Sequence, residues 1–261
     1  MINPANLHVI SHLSPDQDHS PVLLLHGLGS CAEDWPLQVP ELAKYRNLYA
    51  VDLPGHGISP PLEGWPTMSD YASALADWMQ VTGLESAHVV GLSLGGLVAL
   101  QLAVDHTPLV RSLTIVNAFG RLKVSLWGGL HSAGRVLMLI FGRMEWLGAW
   151  VAKALFPDPS QKALRELAAV RIASNPRKAY LQAVGAIARF NLLDRLKRLQ
   201  IPVLVVAGGR DLIVPLSAKK ELAENIPNSK YAYLPESGHV TPIDAGDRFN
   251  QLLLDFLAMN D

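Results

Sequence analysis

The sequence predicts an α/β fold in which a mostly parallel sheet is covered by helices on both faces. Three observations carry this. Short runs of Val, Leu and Ile recur without the polar alternation of a half-wet strand, as expected for strands buried on both faces. Longer stretches with helical spacing of apolar residues separate them. Glycine-rich turns follow directly on two of the runs, at Gly27–Gly29 and Gly91–Gly96. Strand, helix, strand at this spacing means right-handed crossovers in one sheet.

The composition fits a protein with a large core. Hydrophobic residues make up 49% of the 261 and charged residues 17%, which excludes a mainly disordered chain. Lys and Arg number 22 against 23 Asp and Glu. This balance predicts neither nucleic acid nor an anionic membrane as the main partner. A single cysteine, Cys31, cannot form an internal disulfide or a thiolate metal cluster. No basic start followed by an apolar run opens the chain, and no long charge-free apolar stretch crosses it, so a cytoplasmic protein without membrane insertion is expected.

Taken in order, residues 8–13 offer one edge strand and little room for more. Val22 to Leu25, Leu48 to Val51, Ala87 to Val90, Leu113 to Val116 and Pro202 to Val206 are the buried strands, and Lys230 to Leu234 is a weaker one. Met68 to Val81 is a helix with Tyr71, Leu75 and Trp78 near one face. Leu94 to Val104 is an apolar helix, and Gly246 to Phe256 is the last one. Between 122 and 193 no strand is visible. Helical pieces at 122–142, 145–155, 160–174 and 177–192 fill the gap, punctuated by Gly and Pro. The sequence therefore divides into a core, 1–121 with 195–261, and a helical insertion at 122–194.

The sharpest chemical signal is Gly91-Leu92-Ser93-Leu94-Gly95-Gly96. A strand that turns abruptly into a helix strains its turn residue and demands small neighbours, leaving Ser93 at the tip above a helix N-terminus. Serine needs a base. Of nine histidines, His239 alone lies in a loop between the last strand and the last helix, beyond a strand end. His88 and His106 read as structural, His26 as a loop organiser, and His131 as a weak candidate for substrate contact. Asp211, beyond the end of the strand from Pro202, would orient the imidazole. Asp52 reads as a turn anchor and Asp244 as the start of the last helix. Backbone N–H groups of Leu28 and Leu94 would face an oxyanion.

These motifs, with Asp52-Leu53-Pro54-Gly55-His56-Gly57 and Gly208 to Asp211, run in one order along nearly the whole chain. In this they resemble the α/β-hydrolase superfamily, in its capped serine esterase, carboxylesterase-like branch. The resemblance implies a sheet of seven or eight strands, with a helical cap inserted after strand 6. It implies Ser93 as nucleophile, His239 as base, Asp211 as acid and Leu28 and Leu94 as the oxyanion hole, with no cofactor and no metal. Trp35 matches an aromatic position where packing is expected. The apolar insertion suggests a roof over the pocket from a subset of Trp127, Met138, Phe141, Met144, Trp146 and Trp150. The expected reaction is hydrolysis of carboxylic esters with medium, mainly apolar acyl or aryl groups, by a monomer or homodimer. Aspartate-elbow dehalogenases and epoxide hydrolases are excluded by Ser93. Lactonase or carbon–carbon hydrolase action is the alternative, with Arg121, Lys123 or Arg189 as cations for an acidic substrate, and a non-enzymatic ligand-binding or receptor role is less favoured.

Overall fold

A computed structural model describes residue 3, 6–15, 18–122, 138 and 142–261. Its strands are β1 (Val9–His12), β2 (Val22–Leu25), β3 (Leu48–Val51), β4 (Ala87–Leu92), β5 (Val110–Val116), β6 (Val203–Gly208) and β7 (Lys230–Leu234). They form one seven-stranded sheet in the order β1-β3-β2-β4-β5-β6-β7. Only β1 is antiparallel to its neighbour; every other pairing is parallel. All residues of β2, β4 and β6 are buried, which is why they read as unbroken apolar runs. β7 is an edge strand with Tyr231 and Tyr233 exposed, hence its weaker signal.

The helices are α1 (Val39–Leu42), α2 (Met68–Val81), α3 (Leu94–Asp105), α4 (Met144–Leu155), α5 (Lys162–Ala173), α6 (Arg177–Ala188), α7 (Leu193–Leu196), α8 (Leu216–Glu224), α9 (Thr241–Asp244) and α10 (Gly246–Ala258). Thr67 and Asp70 form a reciprocal capping box that fixes the start of α2. α3 is buried through its first ten residues. It is apolar all round because it packs between β4 and neighbouring elements rather than lying at the surface.

The sheet divides the core in two. One face carries α2, α3 and α8 with Leu23, Val89, Leu113 and Val205. The other carries Trp35 and α10 with Leu24, Val90 and Val206. A third, small cluster of Leu147, Val151, Ile172 and Tyr180 lies within α4–α6 and packs against Leu28. The helices α4–α7 leave the sheet after β5 and return at β6. At their neck Arg121 bridges Asn191, and Leu192 N–H donates to Gly120 O at 2.8 Å. This insertion follows the fifth strand of the chain. Among the described residues it therefore comes one strand earlier than the expected place after strand 6. Of the helices expected at 122–142, nearly all residues lie outside those described.

The order places β2 and β4 side by side with β3 beyond β2. The chain moves outward from β2 to β3, then crosses back to β4. The loops leaving the carboxyl ends of β2 and β4 therefore border a crevice, the position where open α/β sheets keep their ligands.

Candidate active site

The turn between β4 and α3 is strained. Ser93 has φ 53° and ψ −113°, a conformation L side chains rarely adopt. Its neighbours hold it there: Ser93 N–H donates to Val116 O at 2.9 Å and Gly95 N–H to His26 O at 3.0 Å. The small residues are a steric requirement. A Cβ on Gly91 would lie 2.4 Å from Gly95 O, and one on Gly95 within 2.1 Å of Leu25 O.

The loop after β2 lies against this turn, with space of 3.7 Å between Ser93 Cβ and a Cβ built on Gly27. His26 organises it. Its Nδ1 lies 2.7 Å from Gly27 O, and its Nε2 accepts from Leu53 N–H at 3.0 Å. This pairing defines the tautomer with the proton on Nδ1. Burial pushes the His26 imidazole down to about 4, so it is neutral at physiological pH. Asp52 ties three segments together by accepting Ala32 N–H and Ile58 N–H and contacting His8 Nδ1, at 2.7, 3.0 and 2.8 Å. Among the described residues, the N–H groups of Leu28 and Leu94 have no protein acceptor, and both residues line the cavity described below. They are donors left for a ligand.

His239 lies beyond β7 and Asp211 beyond β6. The His239 Nδ1 is 3.0 Å from both carboxylate oxygens of Asp211. Asp211 Oδ1 also accepts the N–H groups of Ile213 and Val214, at 2.7 and 3.1 Å. Burial alone would push the Asp211 carboxyl up. The charge and hydrogen bond of His239, with the ammonium of Lys219, outweigh it and hold the carboxyl at about 2. Asp211 is ionised and His239 keeps Nε2 for the cavity.

Two residues around this pair were not singled out by sequence. Lys219, in α8, is fully buried, and its Nζ lies 2.9 Å from Asp211 Oδ2, 3.1 Å from Asn117 Oδ1 and 2.9 Å from Gly208 O. Asn117 follows β5 at φ 47° and donates from Nδ2 to His239 O at 2.8 Å, Gly238 O at 3.1 Å and Thr241 Oγ1 at 2.8 Å. An asparagine directly after a buried strand is a readable sign of a left-handed turn. A lysine in an otherwise ordinary amphipathic helix carries no such sign. Asp244 was read as starting the last helix. It ends the single turn α9 and accepts Gly238 N–H at 3.1 Å and Gln161 Nε2 at 2.7 Å, bracing the loop of His239 against the insertion.

Ser93, Leu28, Leu94 and His239 line one cavity of about 450 Å³. Its walls are mainly apolar. The sheet domain contributes Trp35, Phe119 and Val240, and α4–α6 contribute Val151, Ile172 and Val184. Asp34 and Arg171 also reach it, 3.4 Å apart. Trp35 is buried, as its packing role required.

The expected roof is corrected here. Trp127 and Phe141 lie outside the described residues, as does His131. Met138, Met144, Trp146 and Trp150 do not line the cavity. Trp146 is 62% and Trp150 41% exposed. One turn of α4 separates these tryptophans, and the face they share points to solvent, while Val151 and Leu155 face the cavity. Met138 and Met144 pack on the small cluster inside the insertion. Of the candidate cations, Arg121 pairs with Glu221 at 3.2 Å and Arg189 donates to Pro66 O at 2.7 Å; neither lines the cavity. Lys123 lies outside the described residues. His88 is buried against Ser112 and Asp261, a structural placement.

A serine on a strained strand–helix turn, a histidine–aspartate pair beyond two later strand ends and a parallel sheet beneath them define a hydrolase of the α/β type. The chain belongs to the family described as "alpha/beta hydrolase fold", which matches residues 20–245. Two relatives align over almost the whole length. A protein of Variovorax paradoxus (strain S110) named carbamate hydrolase RutD is 32% identical over 255 residues, covering 92% of each chain. One of the same name from Stutzerimonas stutzeri (strain A1501) is 28% identical over 265 residues, covering 97% of each. Among solved structures, the enol-lactonase from Burkholderia xenovorans LB400 superposes with a TM-score of 0.88 at 23% identity, covering 97% of this chain and 96% of that one. Among the described residues, no helix is long and apolar enough to cross a membrane.

Proposed function

We propose that the protein is a serine hydrolase that cleaves carboxylic esters of medium, mainly apolar acyl or aryl groups through an acyl-enzyme. One observation carries the reading. The strained Ser93, two unpaired N–H donors and a histidine already paired with an ionised aspartate all border one apolar cavity. Ser93 Oγ attacks the carbonyl while His239 Nε2 takes its proton. The Leu28 and Leu94 N–H groups receive the oxyanion, each worth about 3–4 kcal/mol in comparable sites. His239 then protonates the leaving alcohol, and water clears the acyl group by the same route. Asp211 keeps the imidazole in the tautomer with its proton on Nδ1 and stabilises the imidazolium. The insertion α4–α6 serves as a cap whose inner faces receive the acyl group, which explains why the cavity wall is apolar above a polar floor.

A second reading is supported by the relatives named for carbamate hydrolysis. A carbamate carbonyl meets the same nucleophile and the same donors, so the machinery serves both. The cavity's volume and apolar lining favour the larger acyl group.

The test is a panel of p-nitrophenyl acetate, butyrate, hexanoate and octanoate with an N-alkyl carbamate ester, a lactone and a meta-cleavage diketone. Each methylene that enters the cavity contributes up to about 0.8 kcal/mol. Two further carbons therefore raise kcat/KM by roughly tenfold until the cavity is full. Ser93→Ala should lower turnover by at least about 10³-fold while leaving the melting temperature unchanged or slightly higher. Activity within about tenfold of the parent would refute the nucleophile. A steady decline from acetate onward would refute the acyl preference, and carbamate turnover above every ester would select the second reading.

A further inference from the structure

Lys219 is a buried charged group beside the site that the proposed reaction does not use. Its side chain is 1% exposed and Asp211's is 0%. A lysine is almost never buried without a partner, and breaking such a pair leaves an uncompensated charge. Here every ammonium proton has an acceptor: Asp211 Oδ2, Asn117 Oδ1 and Gly208 O. The three acceptors belong to the ends of β5 and β6 and to the loop that bears the acid. Asn117 in turn holds the backbone of His239. The ammonium thus fastens the acid and, through one asparagine, the base.

Its charge matters as much as its hydrogen bonds. Lys219 Nζ and His239 Nδ1 both touch Asp211 Oδ2, at 2.9 and 3.0 Å, so they are no more than about 6 Å apart. We propose that Lys219 is a positioning residue of the Ser93–His239–Asp211 site, whose buried ammonium neutralises Asp211 so that the pair rests at no net charge and protonation of His239 costs more than beside a lone carboxylate. The inference rests on the reading of these three residues as a triad. It adds that the working range of the enzyme extends to lower pH because of a residue one layer behind the acid.

The other charged groups around His239 do not supply this effect. Asp244, held by Gly238 N–H and Gln161, faces both His239 and Asp211, but its carboxylate acts with the sign opposite to an ammonium. Arg210 and Glu236, which flank the two loops, pair with each other in solvent. Asp34 and Arg171, across the cavity, pair with each other and with Glu33 and Ser30. His26 faces Gly27 O and Leu53 N–H. Among the charged side chains of the described residues, Lys219 alone shares an oxygen of Asp211 with His239.

The test compares kcat/KM for p-nitrophenyl butyrate from about pH 5 to about pH 9 in the parent, Lys219→Met and Lys219→Gln. Glutamine keeps hydrogen-bonding capacity without charge, so it serves where methionine fails to fold. Labelling by a fluorophosphonate counts intact sites. Removing a charge about 6 Å away at an effective dielectric constant of about 20 should move the acid limb up by about one to two pH units in both variants. The plateau should stay within about tenfold. The ring resonances of His239, followed by NMR titration, should move by the same amount and do not depend on turnover. An acid limb and a ring titration both unmoved in folded, labelled variants would overturn the proposal and leave Lys219 as a brace only. Failure of the triad itself would appear separately, as activity surviving Ser93→Ala.

Discussion

Replacing Gly95 by alanine tests whether the serine turn is built by close packing. A Cβ there would lie 2.1 Å from Leu25 O, 2.5 Å from Leu25 C and 2.7 Å from His26 O, where ordinary contact begins at 3.4 Å. All three atoms are backbone at the end of β2, which is paired on both sides by β3 and β4. They cannot rotate away, so α3 and the turn must shift by roughly 1 Å. Overpacking of this kind costs about 3 kcal/mol, at the upper end of its range. At about 2.1 cal/mol/K per residue the unfolding entropy of this chain converts that to about 5 °C in melting temperature. A misplacement of roughly 1 Å at the nucleophile costs about 10²-fold in rate. Calorimetry, kcat/KM for p-nitrophenyl butyrate and fluorophosphonate labelling of Ser93 measure the three effects. Gly64→Ala is the control: Gly64 has φ 62° but nothing within 4 Å of a Cβ. It should lose about 1 kcal/mol through backbone strain alone and keep its activity. Gly95→Ala with unchanged melting and unchanged labelling would refute the packing argument and, with it, the placement of Ser93.

Two further outcomes follow from the same geometry. Val184→Phe places a ring in a cavity of about 450 Å³, so the hexanoate-to-acetate ratio of kcat/KM should fall about tenfold while acetate turnover changes little; a ratio that stays constant would show that acyl groups do not reach α6. The second outcome concerns acid stability. Burial lowers the imidazoles of His26 to about 4, His56 to about 3 and His88 to about 4. The unfolded chain binds these protons near pH 6.5, so their contribution is fully present above that pH and is lost as pH falls toward 4 and 3. Each adds up to about 1.4 kcal/mol per pH unit in that window. Denaturant midpoints should fall steeply below about pH 6.5, and a flat profile down to pH ~4.5 would mean that these rings are not buried neutral.

The sequence revealed most where burial was complete. β2, β4 and β6 are buried at every position and could be read as unbroken apolar runs. The edges β1 and β7 were fainter because part of each strand meets solvent, so periodicity and apolar content both dilute. The serine turn was legible because its steric demands select glycine at two fixed places. The facing of α4 was not. Its apolar residues surround the helix, so spacing alone could not tell that Trp146 and Trp150 look outward while Val151 and Leu155 look in. Lys219 was invisible for a different reason. Composition argues that lysine is solvated, and only the fold brings α8 under the loop of Asp211 and the end of β5.

The division of labour in the molecule follows from where the constraints lie. Strained backbone persists only where its surroundings over-determine it. Ser93 sits at the end of β4, flanked by β2 and β5, and its turn is held by Val116 O through its own N–H and by His26 O through Gly95 N–H. Asp211 and His239 hang from the ends of β6 and β7 and are locked to β5 through Asn117. Five adjacent strand ends thus fix Ser93, Asp211 and His239, and little in that frame can change without moving all of them. The insertion is attached differently. Its chain leaves and rejoins the sheet at one neck, Arg121 and Asn191, while it rests on the loops above through Asn175–Gly29 O and Gln182–Leu62 O, has its own small core, and supplies much of the cavity wall. Substitutions on its inner faces change what fits above Ser93 while leaving the sheet untouched. The residues to vary in asking what the cavity accepts are therefore Val151, Leu164, Ile172 and Val184 rather than the frame.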